Sequence, residues 1–246
     1  MVNYLYANFF GMSEFRPTSF NILPVIIKNL MIVNGLVYLA KITLQQQGSF
    51  WLTENLALFD VRSVYFRPHQ IITHMFMHAG FGHLFFNMFV LWMFGSTLEN
   101  LWGPKRFLIF YVVCGIGAAL LHLGVMYIQN TQFVEQIQAL NPFLDQQEIG
   151  ELYAILNIPT VGASGAIYGC LAGFGYLFPN SLIYLYFLVP IRAKYLIGGL
   201  ILIQLWMGTA GGAGRGGVAH WAHLGGALVG FLLVYYWNKT NRKRFY

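Results

Sequence analysis

Gly162-Ala163-Ser164-Gly165-Ala166-Ile167-Tyr168-Gly169 sets one serine among small residues at the head of an apolar stretch. Pro159, just upstream, suits an extended approach followed by a helix that starts at the serine. Such a start leaves unpaired N–H groups and the positive end of a helix dipole beside the hydroxyl. Gly162 and Gly165 offer no side chain to shield it. Two readings fit these eight residues: a reactive serine, or a small-residue packing motif of a membrane helix. The remainder of the chain has to decide.

Of 246 residues, 57% are hydrophobic and only 9% are charged. Soluble domains carry about 25% charged residues, so the composition points to a polytopic membrane protein with apolar stretches long enough to cross a bilayer. Cys114 and Cys170 both fall inside apolar stretches, without metal-ligand spacing, and read as small core residues. Met1 to Phe10 has no basic residue and no cleavage pattern, so it does not read as a signal peptide. Acidic Glu14 and the lack of Arg clusters argue against an organelle transit peptide. The expected setting is a bacterial plasma membrane.

The expected fold is all-α with six transmembrane helices. Residues 1–21 form an interfacial lead-in, 22–238 the six-helix membrane domain and 239–246 a basic tail. The spans run from about Ile22 to Leu44, His83 to Leu101, Phe107 to Ile128, Ser164 to Pro179, Tyr195 to Thr209 and Val218 to Trp237. The first outer loop, Gln45 to Gly82, mixes aromatic and charged residues as an interfacial structure does. Gln129 to Pro159 reads as an acidic loop, and Leu182 to Val189 as an interfacial segment too short to cross. Lys28 and Lys41 would snorkel at the ends of the first span. The Gly-rich loop 211–217 reads as a lid or a plain connector.

Lys and Arg divide ten to four between the two sides, and six of the eight acids lie on the basic-poor side. Both termini are therefore expected in the cytoplasm, with the serine end of the fourth span facing outward. The net charge of +6 is then a topology signal and an anionic-lipid contact rather than a nucleic-acid footprint.

Ionisable and amide groups inside spans are costly and mark function. His83 and Asn87, four apart, share a face at the outer end of the second span. His220 and His223 open the sixth, and Ser164 opens the fourth. A serine needs a base to act as a nucleophile near neutral pH, and imidazole supplies one. Asn and His donors suit an oxyanion. Glu99 lies sixteen residues beyond His83, about 24 Å along the helix, too far to complete a triad. Gly165, Gly169 and Gly173 form one small-residue line and Gly226 and Gly230 another, which lets the fourth and sixth helices approach closely. His69, His74 and His78 read as structural hydrogen-bond partners and His122 as a satisfied core residue. A metal or haem reading of the histidine pairs has no HExxH and no completing thiolate.

Taken together, these motifs resemble the rhomboid intramembrane serine proteases over about Phe66 to Gly230. Gly162-Ala163-Ser164-Gly165 matches GxSG, Ala222-His223-Leu224-Gly225-Gly226 matches AHxxG, and His83 with Asn87 matches HxxxN. Glu99 to Gly103 resembles a structural ExxxG pattern. The resemblance implies Ser164 as nucleophile and His223, rather than His220, as base. It implies an oxyanion hole of His83, Asn87 and the Ser164 N–H, and Tyr168 stacked under the histidine. It also implies a water-filled site opening outward, transmembrane protein substrates, no metal and no cofactor. Many rhomboids carry Trp-Arg in the first outer loop, where this chain has His69-Gln70. A binding protein of the same fold, without activity, would usually lack the Ser or His kept here.

Overall fold

Backbone polar groups facing lipid must be satisfied within the segment that carries them, which makes helices the default element of such a chain. The computed structural model describes residues 20–140, 146–185, 188–210 and 218–240. Helix α1 spans Val25–Gln46. The loop expected above to be the first outer one follows, and carries α2 (Trp51–Leu56), α3 (Gln70–Thr73) and a 3₁₀ turn His74–Phe76. Then come α4 (Phe81–Val90), a π-helical segment Leu91–Gly95 and α5 (Ser96–Trp102), which together make one rod. Helix α6 (Pro104–Leu140), α7 (Gln146–Leu156) and α8 (Ser164–Leu177) precede strands β1 (Leu182–Leu185) and β2 (Val189–Arg192). Helices α9 (Ala193–Ala210) and α10 (Val218–Thr240) end the described chain.

Among the described residues, four helices are long and apolar enough to cross a bilayer: Val25–Gln46, Phe81–Trp102, Pro104–Glu135 and Ala193–Ala210. The stretches expected as fourth and sixth spans are helices α8 and α10. Three expectations need correction. Residues 129–159 are not a plain loop, because α6 continues to Leu140 and α7 follows. Nor is the chain all-α. Leu182–Leu185 pairs antiparallel with Val189–Arg192, so the short apolar segment satisfies its backbone as a hairpin. Lys41 does not snorkel outward either. It is buried, and its ammonium donates to the carbonyls of His78 (2.7 Å) and Ala79 (3.2 Å), tying α1 to the outer loop. Most of the lead-in, the 211–217 loop and most of the tail lie outside the described residues.

Helix α8 is the core element, with Gly165, Ala166, Ile167, Gly169, Cys170, Leu171, Ala172 and Gly173 all buried. Its small residues face α10. A Cβ on Gly226 would overlap the Gly165 carbonyl, and one on Gly230 would lie 2.6 Å from Gly169 Cα. Two glycine lines thus put backbone against backbone, the close approach that lets short side chains meet. At the far end of α10, Trp102 of α5 packs edge-on against Trp237 with centroids 5.5 Å apart, and Arg106 of α6 lies over the Trp237 ring.

Glu99, buried in α5, caps α1: its two carboxylate oxygens accept from the N–H groups of Ile26 and Ile27, each at 2.9 Å. That satisfies orphan donors and places negative charge at a helix N-terminus. Glu99→Gln keeps one acceptor and turns an NH₂ group toward the other N–H. The expected cost is about 1–2 kcal/mol, seen as a lower melting temperature in detergent, with the turnover of folded protein little changed.

In the outer loop, buried Asp60 accepts from Arg62 N–H (2.9 Å), from the Arg62 guanidinium (2.9 and 2.8 Å) and from Asn130 Nδ2 (2.8 Å). Burial pushes its carboxyl up, but the hydrogen bonds from Arg62 and Asn130 and the Arg62 charge outweigh it and hold the carboxyl below its ordinary value. A depressed folded-state value gives stability that is complete above the unfolded value of about 4 and is lost as pH falls through the folded one. Melting temperature should therefore fall on acidification below about pH 4, and Asp60→Asn should flatten that dependence. An unchanged slope would remove Asp60 from the account.

Candidate active site

The approach to Ser164 is fixed from three directions. Thr160 and Leu58 exchange backbone hydrogen bonds of 2.8 and 2.9 Å, an isolated bridge between the outer loop and the segment after Pro159. Thr160 Oγ1 lies 2.7 Å from His122 Nε2, and Gly162 N–H donates to the His74 carbonyl at 2.9 Å. Gly162 has φ +133°, and a Cβ there would come within 2.9 Å of the His83 ring. Only glycine fits both demands. Helix α8 then begins at Ser164, so the first-turn N–H groups beside the hydroxyl have no intrahelical acceptor.

The structure brings Ser164 and His223 together: Ser164 Oγ lies 2.7 Å from His223 Nε2. Tyr168, one turn into α8, stacks on the His223 ring at 4.4 Å between centroids and 10° between planes. His83 Nδ1 accepts the Ala79 N–H at 3.4 Å, which puts the ring's proton on Nε2. That Nε2 is 2.9 Å from the point where a Gly162 Cβ would sit, a point itself 3.6 Å from Ser164 Oγ. A donor thus looks into the space beside the hydroxyl. Asn87 is less direct: its amide donates to the His83 carbonyl at 2.8 Å, holding the start of α4 rather than touching Ser164.

A cavity of about 30 Å³ adjoins the serine, lined by His74, His122, Thr160, Gly162, Ser164 and His223 among others. It has room for a water and several polar partners for it. His122 is satisfied by Thr160, as expected, yet it also lines this cavity. Gln70, at the place of the usual Trp-Arg pair, is fully buried and donates to the carbonyls of Tyr65 (2.8 Å) and Glu54 (3.0 Å). His69 meets the Asn55 carbonyl at 2.7 Å. Gln70 and His69 thereby brace the loop at the place of that pair. Among the described residues, no group of three His, Cys, Asp or Glu gathers to hold a metal ion.

The sequence reading missed one residue at the site. Gln204, on α9, is buried and contacts Tyr168, His220 and His223. An amide in the middle of an apolar span was the available signal. His220 also stands close to the site. Three residues turn a helix by 300°, which is 60° the other way, and the two rings lie 6.3 Å apart.

The model of the Rhomboid domain matches residues 65–239. The chain belongs to the rhomboid family. It is 29% identical over 175 residues to Rhomboid protein 1, mitochondrial, of Saccharomyces cerevisiae, covering 71% of this chain and 43% of that one. RHOMBOID-like protein 12, mitochondrial, of Arabidopsis thaliana is 29% identical over 73% of this chain and 48% of its own. Rhomboid protease GluP of Bacillus subtilis is 27% identical over 66% of this chain and 24% of its own. The chain therefore spans between a quarter and half of the length of these relatives. Rhomboid relatives and apolar helices make it a membrane protein of a family of intramembrane serine proteases. With mitochondrial and bacterial proteins both among the relatives, the expected bacterial plasma membrane gains no support from them.

Proposed function

We propose that this protein is an intramembrane serine endopeptidase that cleaves other membrane proteins in or near their transmembrane segments. The observation that supports it best is the 2.7 Å contact between Ser164 Oγ and His223 Nε2, with Tyr168 stacked beneath the imidazole. In this reading Ser164 Oγ attacks the scissile carbonyl carbon while its proton passes to His223 Nε2. The carbonyl π pair moves onto oxygen, where His83 Nε2–H, the Asn87 amide and the Ser164 N–H stabilise it. The tetrahedral intermediate collapses as the imidazolium protonates the leaving amine. Water, held by the polar cavity, then attacks the acyl-enzyme with His223 again taking its proton, and the imidazolium returns that proton to Ser164 Oγ as the ester bond breaks and the acid product leaves.

The helix lengths support a site below the membrane surface. At 14 residues, α8 is about 21 Å long, shorter than a hydrocarbon core of about 30 Å. We read six spans, with both termini on the cytoplasmic side, the site opening outward and the first outer loop lying in the headgroup region. Membrane lipids are the solvent of this enzyme, and substrates are membrane proteins whose helices unwind locally at Gly or Pro.

The test is cleavage of a single-span reporter by purified protein in liposomes, with the cut site mapped by mass. His220→Ala should keep activity within about tenfold of wild type, since it removes no group that touches Ser164. Cleavage that survives in His223→Ala but is lost in His220→Ala would exchange the two histidines' roles.

A further inference from the structure

Gln204 is one of four buried residues on α9, with Ala193, Ile197 and Gly208, a single stripe turned toward the protein on a helix whose other apolar side chains are exposed or half-buried. A primary amide in such a place is costly unless every polar atom is used. Here the use is specific. Oε1 lies 2.5 Å from His220 Nδ1 and 2.9 Å from His223 Nδ1, and Nε2 donates to the Tyr168 hydroxyl at 2.8 Å.

We infer that Gln204 is a positioning residue for His223, doing from α9 the orienting work that a carboxylate does in a Ser-His-Asp triad. The inference rests on the Ser164–His223 reading above. An amide oxygen accepts and cannot donate, and it has two lone pairs, one for each imidazole. Both imidazoles must then carry their proton on Nδ1. For His223 this leaves the Nε2 lone pair pointing at Ser164 Oγ, the tautomer a general base needs. When Nε2 gains the serine proton, Nδ1–H remains donated to Oε1, so the amide dipole stabilises the imidazolium through both proton transfers. The amide turned the other way would place NH₂ on the two Nδ1 atoms, force the proton onto His223 Nε2 and disable the base. The second arm of Gln204 works on the same ring, since it holds the hydroxyl of Tyr168, whose face His223 stacks upon.

This assignment also accounts for a base that works without a carboxylate. Glu99 caps α1 and is committed there. The ring is instead held by an uncharged group, which costs less to bury than an ion.

The experiment compares Gln204→Leu, Gln204→Glu and wild type for cleavage of the single-span reporter across pH, with Ser164→Ala and His223→Ala alongside. Gln204→Leu should lower kcat about 10- to 100-fold with KM little changed, the loss of one hydrogen bond to a charged group. Gln204→Glu, of the same size, should keep most of the wild-type kcat and move the acid limb of the pH–rate profile to higher pH, because a carboxylate at Nδ1 favours the imidazolium. A merely structural amide would not move that limb. Wild-type kcat in Gln204→Leu, or an unmoved acid limb in Gln204→Glu, overturns the inference while the serine and histidine variants remain dead. Activity surviving in Ser164→Ala or His223→Ala overturns the underlying reading instead. Should Gln204→Leu not fold, the Gln204→Glu profile decides alone.

Discussion

Ser164→Ala and His223→Ala should each abolish cleavage of a single-span reporter, and the double variant should be no worse than either. In the proposed mechanism nucleophile and base act as one unit across a 2.7 Å contact, so losing either member loses the proton transfer that the other serves. Ser164→Ala should also keep its melting temperature. The close approach of α8 to α10 at Gly226 and Gly230 is backbone on backbone and does not depend on the hydroxyl, which adds only its one hydrogen bond to His223. His223→Ala removes a ring stacked on Tyr168, so a drop of a few degrees is expected there without loss of the fold. Independent, multiplicative losses in the double variant would mean that the two side chains do not act as a pair.

The next largest effects belong to the proposed oxyanion donors, His83 and Asn87. Removal of one such donor costs about 10² to 10³ in rate. Asn87→Ala should fall in that range and remain measurable, because the Ser164–His223 pair is intact. His83→Ala should be worse. Its Nε2–H faces the space beside Ser164 Oγ, and its Nδ1 and ring edge engage Ala79 and His78. Truncation therefore removes a donor and loosens the start of α4. Turnover of both variants should be compared with their slow acylation by a reactive isocoumarin. Wild-type turnover in Asn87→Ala would take that amide out of the site and leave it as the brace on the His83 carbonyl that the structure displays.

Much of the candidate site's layout was legible from residue spacing, which put Ser164, His220 and His223 near one depth, because helical periodicity converts sequence offsets into faces and small residues at four-residue spacing say which faces touch. The choice of His223 over His220, and the stacking of Tyr168, came only with the family resemblance. The distance argument that excluded Glu99 from the chemistry also survives, since its carboxylate is engaged at the other end of the molecule. What was not legible depends on contacts between elements distant in sequence. Gln204 gains its meaning from Tyr168, His220 and His223, none of them on its own helix. Lys41 looked like a snorkelling residue because nothing local shows that two outer-loop carbonyls await it. Residues 129–140 are too polar to count as a span, yet a helix need not stop where the bilayer does, and α6 continues. The Leu182–Arg192 hairpin hid in a segment too short for apolar periodicity to separate strand from helix.

The central claim is that Ser164 is a nucleophile activated by His223. The direct measurement is intact mass and peptide mapping of purified, folded protein after exposure to a fluorophosphonate. One adduct, mapped to Ser164, absent in Ser164→Ala and strongly reduced in His223→Ala, is the expected result. Folded protein that takes up no adduct, or takes it on another residue while Ser164 stays free, would contradict the account.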